Sequence, residues 1–290
     1  MAWRVLRAVD KKALADARLQ AHHALQWLAR AARAYVSEQP DDLHTSLLWD
    51  DALGGFLTRA LPGGARLGLE LAQLRLVWRN ARGAEAASLA LDRRRNAEVS
   101  VWLGELLAAQ GLDADLLAAP APYEIEDHPV AHGAAYDVAG SADPLRALAA
   151  WFGNAAAVLE RVRAEMLTQG LAAADLLGWP HHFDLATLAP LPGPEAGADE
   201  GGADASPDGA IGVGLSPGDE YYAEPYFYVT IDPEPDPAAL PALPAPGHWH
   251  TNEFVAAIAP ASAILDAPDQ EAATERFLRA AVGAARTLIE

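Results

Sequence analysis

Tyr226-Phe227-Tyr228-Val229-Thr230-Ile231 is the stretch that decides the fold class. Every residue in it is aromatic or β-branched, the types that fit a pleated, half-buried surface. Successive side chains on a strand point to opposite faces, so Tyr226 and Tyr228 share one face and Phe227 takes the other. Three further runs around it read as strands: His182–Leu188, Ala210–Leu215 and Glu253–Ile258. Ser216-Pro217-Gly218-Asp219 suits a sharp reversal ahead of the strand. Antiparallel pairing through short turns is the expectation.

Helices frame these strands. Leu145, Leu148, Phe152, Ala156, Leu159, Val162 and Met166 recur at helical spacing, which predicts a helix over 144–168. Asp143-Pro144 would supply its N-cap and first helical residue. A last helix is expected over about 270–288, with Ala273, Phe277, Ala281, Ala284 and Leu288 inward.

The N-terminal part repeats this order. Ala21, Leu25, Leu28, Ala32 and Tyr35 share a face of a helix over 11–36. Ser46–Trp49 and Gly55–Thr58 flank a hairpin connection at 50–54. Leu69–Trp78 and Ala87–Asp92 alternate apolar and polar residues, as half-buried strands do. A helix over 97–110 follows, capped by Asn96 and ended by Gly111, with Val99, Trp102, Leu103 and Leu106 inward. Residues 112–141 read as loop, with a short strand near Tyr123-Glu124-Ile125. The class is α+β, antiparallel sheet with flanking helices. The chain reads as one integrated unit, 1–290, that can be divided into two similar halves, 1–141 and 142–290. Residues 189–209 are acidic and basic-free, as in a mobile surface loop. Residues 233–247 hold six prolines, as in a stiff extended connector.

Composition narrows the partners. Twenty-one Lys and Arg against 40 Asp and Glu give a net charge of −19. Phosphate backbones are bound through clustered cations, so neither nucleic acid nor an anionic membrane is an expected partner. The chain has no cysteine, which excludes thiolate and cluster chemistry. Charges at Arg4, Arg7 and Asp10 interrupt the start, so a signal peptide is not expected and a cytoplasmic location is. No apolar run approaches the ~20 residues of a membrane span. Nothing in the pattern fixes an oligomeric state.

Two stretches carry candidate chemistry. Trp179-Pro180-His181-His182-Phe183-Asp184 and Gly247-His248-Trp249-His250-Thr251-Asn252-Glu253 hold four of the nine histidines. His248 and His250 are spaced i, i+2, which puts two imidazoles on one side of an extended chain. Such a pair can begin a site for a divalent transition metal, with His182, Asp184 or Glu253 completing it. Glu220 or Glu224 could then act as general base. Against this, histidines beside tryptophan and proline commonly pack and hydrogen-bond at a loop corner.

The second candidate is aromatic. Tyr221, Tyr222, Tyr226 and Tyr228 crowd eight positions, with Glu224 among them. Aromatic walls with a few polar groups are typical of small-molecule pockets. The expected ligand-binding set is Trp179, Tyr222, Glu224, Tyr226, Tyr228 and Trp249. The plain alternative is a hairpin that buries its tyrosines. Asp41-Asp42-Leu43-His44 ranks below both, because such residues usually satisfy turn backbone. His22 and His23 read as surface or core-edge residues. Gly214-Leu215-Ser216-Pro217-Gly218 matches a bare nucleophile-elbow pattern. Proline after the serine removes the N–H an oxyanion hole would use, so that reading is rejected.

Trp179–Ala186, Gly214–Asp219, Glu224–Tyr228 and Glu253-Phe254, together with the helix Glu98–Leu107 and Gly111–Asp113, resemble a bacterial family of uncharacterised proteins, a domain of unknown function. The resemblance covers about residues 40–289, with a longer acidic loop and a less familiar first helix as departures. It implies one integrated unit and no mechanism. Three functions compete: a small-molecule-binding protein with a C-terminal aromatic pocket, a metal-dependent hydrolase or oxygenase, and a structural or partner-binding protein.

Overall fold

In the computed structural model, which describes residues 3–191 and 209–289, the chain divides into two units. The first holds Val9–Gly153 and Leu177–Asp184; the second holds Met1–Ala8, Asn154–Leu176 and Leu185–Glu290.

The first unit opens with α1 (Lys11–Tyr35), whose N-cap Asp10 accepts the Ala13 N–H. Five antiparallel strands follow in sequential order: β1 (Leu48–Asp50), β2 (Gly55–Leu57), β3 (Arg66–Glu70), β4 (Arg75–Arg79) and β5 (Glu85–Ala90). Leu69–Trp78 is therefore not one strand but a hairpin. Its turn residues Leu71 and Leu74 are fully buried, so apolarity hides the break; Leu74 takes φ 39°. α2 (Asn96–Ala109) starts at Asn96, with Arg95 as N-cap and Glu98 accepting the Arg95 N–H. Asn96 does not cap; its side chain is turned to Trp27, Tyr136 and Val130. Leu107 rather than Leu106 joins Val99 and Leu103 as fully buried. No strand forms at Tyr123–Ile125. α3 (Ala142–Thr168) begins two residues earlier than Pro144 suggested, and runs on into the second unit. β6 (Leu177–Trp179) returns to the first unit, where Gly178 bridges Leu47.

The core of this unit is aromatic. Phe56 meets Phe152 edge-on at 5.2 Å, and Phe152 meets Phe183 at 5.1 Å. Trp49 stacks near Phe152, and His22 stacks on Phe183 at 5.2 Å. Each ring buried whole contributes about 1.5–3 kcal/mol.

In the second unit the strands run β10-β11-β9-β8-β7, all antiparallel. They are β7 (Asp184–Leu191), β8 (Gly209–Ser216), β9 (Tyr226–Asp232), β10 (His248–His250) and β11 (Ala256–Pro260). The expected strand at 253–258 starts late because Glu253 takes φ 70°. After α4 (Ala261–Leu265), α5 (Gln270–Ile289) packs on β8, β9 and β11. Ala285 replaces Ala284 as a buried position on α5. Arg161 on α3 pairs with Glu271 and Glu275, and Arg279 pairs with Glu165, fixing the second half of α3 against α5. Most of the loop expected at 189–209 lies outside the described residues, while its first three residues and its last belong to β7 and β8. The proline-rich segment carries a short 3-10 turn, Pro237–Ala239.

The chain is thus α+β with two antiparallel sheets. Among the described residues no helix is long and apolar enough to cross a membrane.

Candidate functional site

A concave site lies in the first unit, and α1 helps build it. His22 Nε2 lies 2.8 Å and Gln26 Nε2 2.9 Å from the Pro180 carbonyl oxygen. A carbonyl only accepts, so His22 carries its proton on Nε2. Burial lowers the His22 pKa to about 4, with the charges of His23, Arg18 and His182 adding to the fall and the Pro180 bond opposing it. The sequence reading of His22 as a surface or core-edge residue is corrected: it is 5% exposed. Two donors on one carbonyl hold the turn after β6, which carries His181 and follows directly on Trp179 at the end of the strand.

Trp179, His181, Tyr123, Arg33, Asp41, Asp42 and Thr45 line one cavity of about 360 Å³ with Pro122. The Tyr123 hydroxyl donates to Gln26 Oε1 at 3.0 Å, so α1 anchors this wall as well. The Tyr123 and His181 rings are 5.7 Å apart, and His181 lies 6.1 Å from Trp179. Burial, then the neighbouring His182, lowers the His181 pKa to about 4, against the pull of Asp42. His181 is therefore neutral at pH 7. Burial also raises the Tyr123 pKa, with Arg33 opposing.

The polar groups of the cavity are unusual. Arg33 Nη2 is buried and has no hydrogen-bond partner within 3.5 Å among the described residues, while Nη1 lies 3.4 Å from the Pro120 carbonyl and the guanidinium faces the Tyr123 ring. A buried unpaired guanidinium nitrogen costs energy unless something meets it. Asp41 and Asp42 both take left-handed backbone, φ 54° each, in the turn Pro40–Thr45. Aspartate tolerates that region better than most residues, yet two in a row store strain of about 1–3 kcal/mol each. The turn is pinned behind them: Thr45 Oγ1 donates to the Asp42 carbonyl, Ser46 Oγ to the Leu43 carbonyl, and Arg59 to both Leu43 and Ser46. A strained turn carrying two carboxylates, an arginine and aromatic walls around one cavity are the features of a binding site.

The other expected residues lie elsewhere. His182 is exposed with its ring 4.1 Å from His181, and Asp184 is buried in the same unit. His248, His250, Tyr222, Glu224, Tyr226, Tyr228 and Trp249 belong to the second unit. Register there pairs His248 with Ile258 and Ile258 with Tyr228, so His248, His250, Tyr226 and Tyr228 share a sheet face. Trp249 takes the opposite face, and its Nε1 donates to the Pro241 carbonyl at 2.7 Å. A pocket walled jointly by Tyr226, Tyr228 and Trp249 is therefore corrected by strand alternation. Glu224 receives the Ser262 N–H at 2.8 Å and the Ser262 hydroxyl at 3.0 Å, which secures the start of α4. Tyr226 donates to Asp219. Among the described residues no three of His, Asp and Glu gather as a metal site.

Sequence reasoning passed over Arg33 and Tyr123, and ranked Asp41 and Asp42 low. The adjacent Pro40-Asp41-Asp42 was the one local signal; Arg33 is an ordinary helix arginine until the turns close round it.

No curated protein and no solved structure matches this chain. A family model does match, over residues 10–290, and so takes in the first helix that the motifs alone left aside. The chain belongs to a family of unknown function, DUF5996.

Proposed function

We propose that this protein binds a small polar molecule with a planar ring in the cavity of its first unit. The observation that carries the reading is a cavity of about 360 Å³ lined by Arg33, two aspartates and the rings of Tyr123, Trp179 and His181. That volume falls within the range of small-molecule pockets, roughly 300–1,000 Å³. Trp179 and Tyr123 offer faces for the ring. Arg33 suits an anionic or carbonyl oxygen, and Asp41 and Asp42 suit an amine or hydroxyl. His181, being neutral, adds a hydrogen bond without adding charge.

The test is a thermal-shift screen with ring compounds bearing a carboxylate and an amine, set against their neutral esters and amides. Stabilisation by the zwitterionic compounds, absent in Arg33→Met, supports the reading. Equal shifts in wild type and Arg33→Met, or no shift across the set, would sink it.

A further inference from the structure

The second unit holds a different constellation. Tyr222 Oη lies 3.0 Å from His248 Nε2 and 3.0 Å from His250 Nδ1. His250 Nε2 lies 2.6 Å from the Asn252 carbonyl oxygen. That carbonyl accepts, so His250 Nε2 holds the proton and Nδ1 is a lone pair. Tyr222 must then donate to His250, and His248 Nε2 must donate to Tyr222.

We infer that Tyr222, His248 and His250 form a binding site for a single divalent transition-metal ion of the Zn²⁺ or Cu²⁺ class. Three arguments carry this. Two edges of the donor set already fit: a tetrahedral ion with bonds of about 2.0–2.1 Å spaces its ligands about 3.3 Å apart, and Tyr222 Oη lies 3.0 Å from each imidazole nitrogen. The orientation is already set: a metal-ligating imidazole usually donates its other N–H to a carbonyl or carboxylate, as His250 does to Asn252. The framework is firm: β10 is paired to β11, the His250 ring stacks on Phe254 at 4.3 Å, and Tyr222 packs on Tyr226 at 4.9 Å. Phenol here takes the place that a third histidine or carboxylate fills in commoner sites. His248 is exposed, so the ion has a route in and a fourth position open to solvent.

The proton balance is explicit. On binding, the Tyr222 O–H breaks and its proton passes to solvent, while the His248 proton moves from Nε2 to Nδ1. Both imidazoles stay neutral, no electron is transferred, and one proton is released per ion. The site stands on residues separate from the cavity of the first unit, and neither proposal depends on the other.

The experiment is calorimetric titration of the untagged full chain with ZnCl₂ in two buffers of different ionisation enthalpy, with CuCl₂ as a spectroscopic probe. The expected result is one ion per chain, one proton released, and a visible phenolate-to-copper charge-transfer band. Tyr222→Phe should abolish the band and weaken Zn²⁺ binding at least tenfold, with its circular dichroism and thermal transition close to wild type. His248→Ala with His250→Ala should remove stoichiometric binding. Absence of stoichiometric binding in the wild type overturns the inference, as does binding that Tyr222→Phe leaves unchanged in both affinity and spectrum.

Discussion

The guanidinium carbon of Arg33 stands 5.8 Å from the centre of the Tyr123 ring. Both residues line the cavity, and the cation opposes the rise that burial imposes on the tyrosine's pKa. Arg33 thus gains a cation–π contact while one of its nitrogens goes without a hydrogen bond. Arg33→Met keeps most of the apolar stem and removes the unpaired group. We expect its melting temperature to stay within about 3 °C of wild type or to rise, since these opposing effects are each of order 1 kcal/mol. Differential scanning calorimetry checks this; a fall beyond about 6 °C would make Arg33 a structural residue.

The buried His22 sets a pH dependence. Its folded pKa, about 4, lies below the unfolded value of 6.5. The unfolded chain therefore binds the proton first as pH falls. The stability is fully present above about pH 6.5 and is lost progressively toward pH 4, by about 3 kcal/mol for a shift of this size. Urea denaturation between pH 7.5 and 4.5 should show the decline, and His22→Gln should flatten it. An unchanged slope in that variant would contradict the assignment. His181 acts in the same direction.

Asn96 holds two buried aromatic residues at once. Its Oδ1 receives the Tyr136 hydroxyl at 2.9 Å and the Trp27 indole at 3.3 Å, and its Nδ2 donates to the Val130 carbonyl at 2.8 Å. Asn96→Ala strands both donors and should cost about 2–4 kcal/mol. Tyr136→Phe removes one donor together with its need and should cost about 1 kcal/mol. Equilibrium unfolding would show the order reversed if the network did not matter.

Gly55 lies where β2 meets β3 with no room for a side chain. A Cβ there would fall 1.8 Å from the Leu69 carbonyl oxygen, a backbone atom that cannot swing away. Gly55→Ala should destabilise by about 2–3 kcal/mol. A wild-type urea midpoint for this variant would show that the sheet yields more easily than its register implies.

Much of the fold was legible because period and burial agree. Leu145 through Met166 form one buried stripe, and Tyr226–Ile231 alternates as a strand should. Legibility failed where a turn is apolar. Leu71 and Leu74 pack into the core, so nothing in their chemistry marks the reversal between β3 and β4. The C-terminal tyrosine and histidine motifs pointed to real clustering on one sheet face, but strand alternation separates Trp249 from it. The cavity was nearly invisible for a different reason. Its lining comes from the end of α1, the turn at 40–45, the loop at 122–123 and the turn after β6. No periodicity links such positions, and only the closed chain brings Arg33 to Asp42 and Trp179.

The most direct test of small-molecule binding in the first unit is a ¹⁵N correlation spectrum of the tryptophan indoles during titration with a compound that stabilises the protein. The Trp179 cross-peak, assigned with Trp179→Phe, should move saturably with the affinity seen in the thermal shift, while that of Trp249 stays in place. Movement of Trp249 with Trp179 unchanged would contradict the account and put the ligand on the second unit.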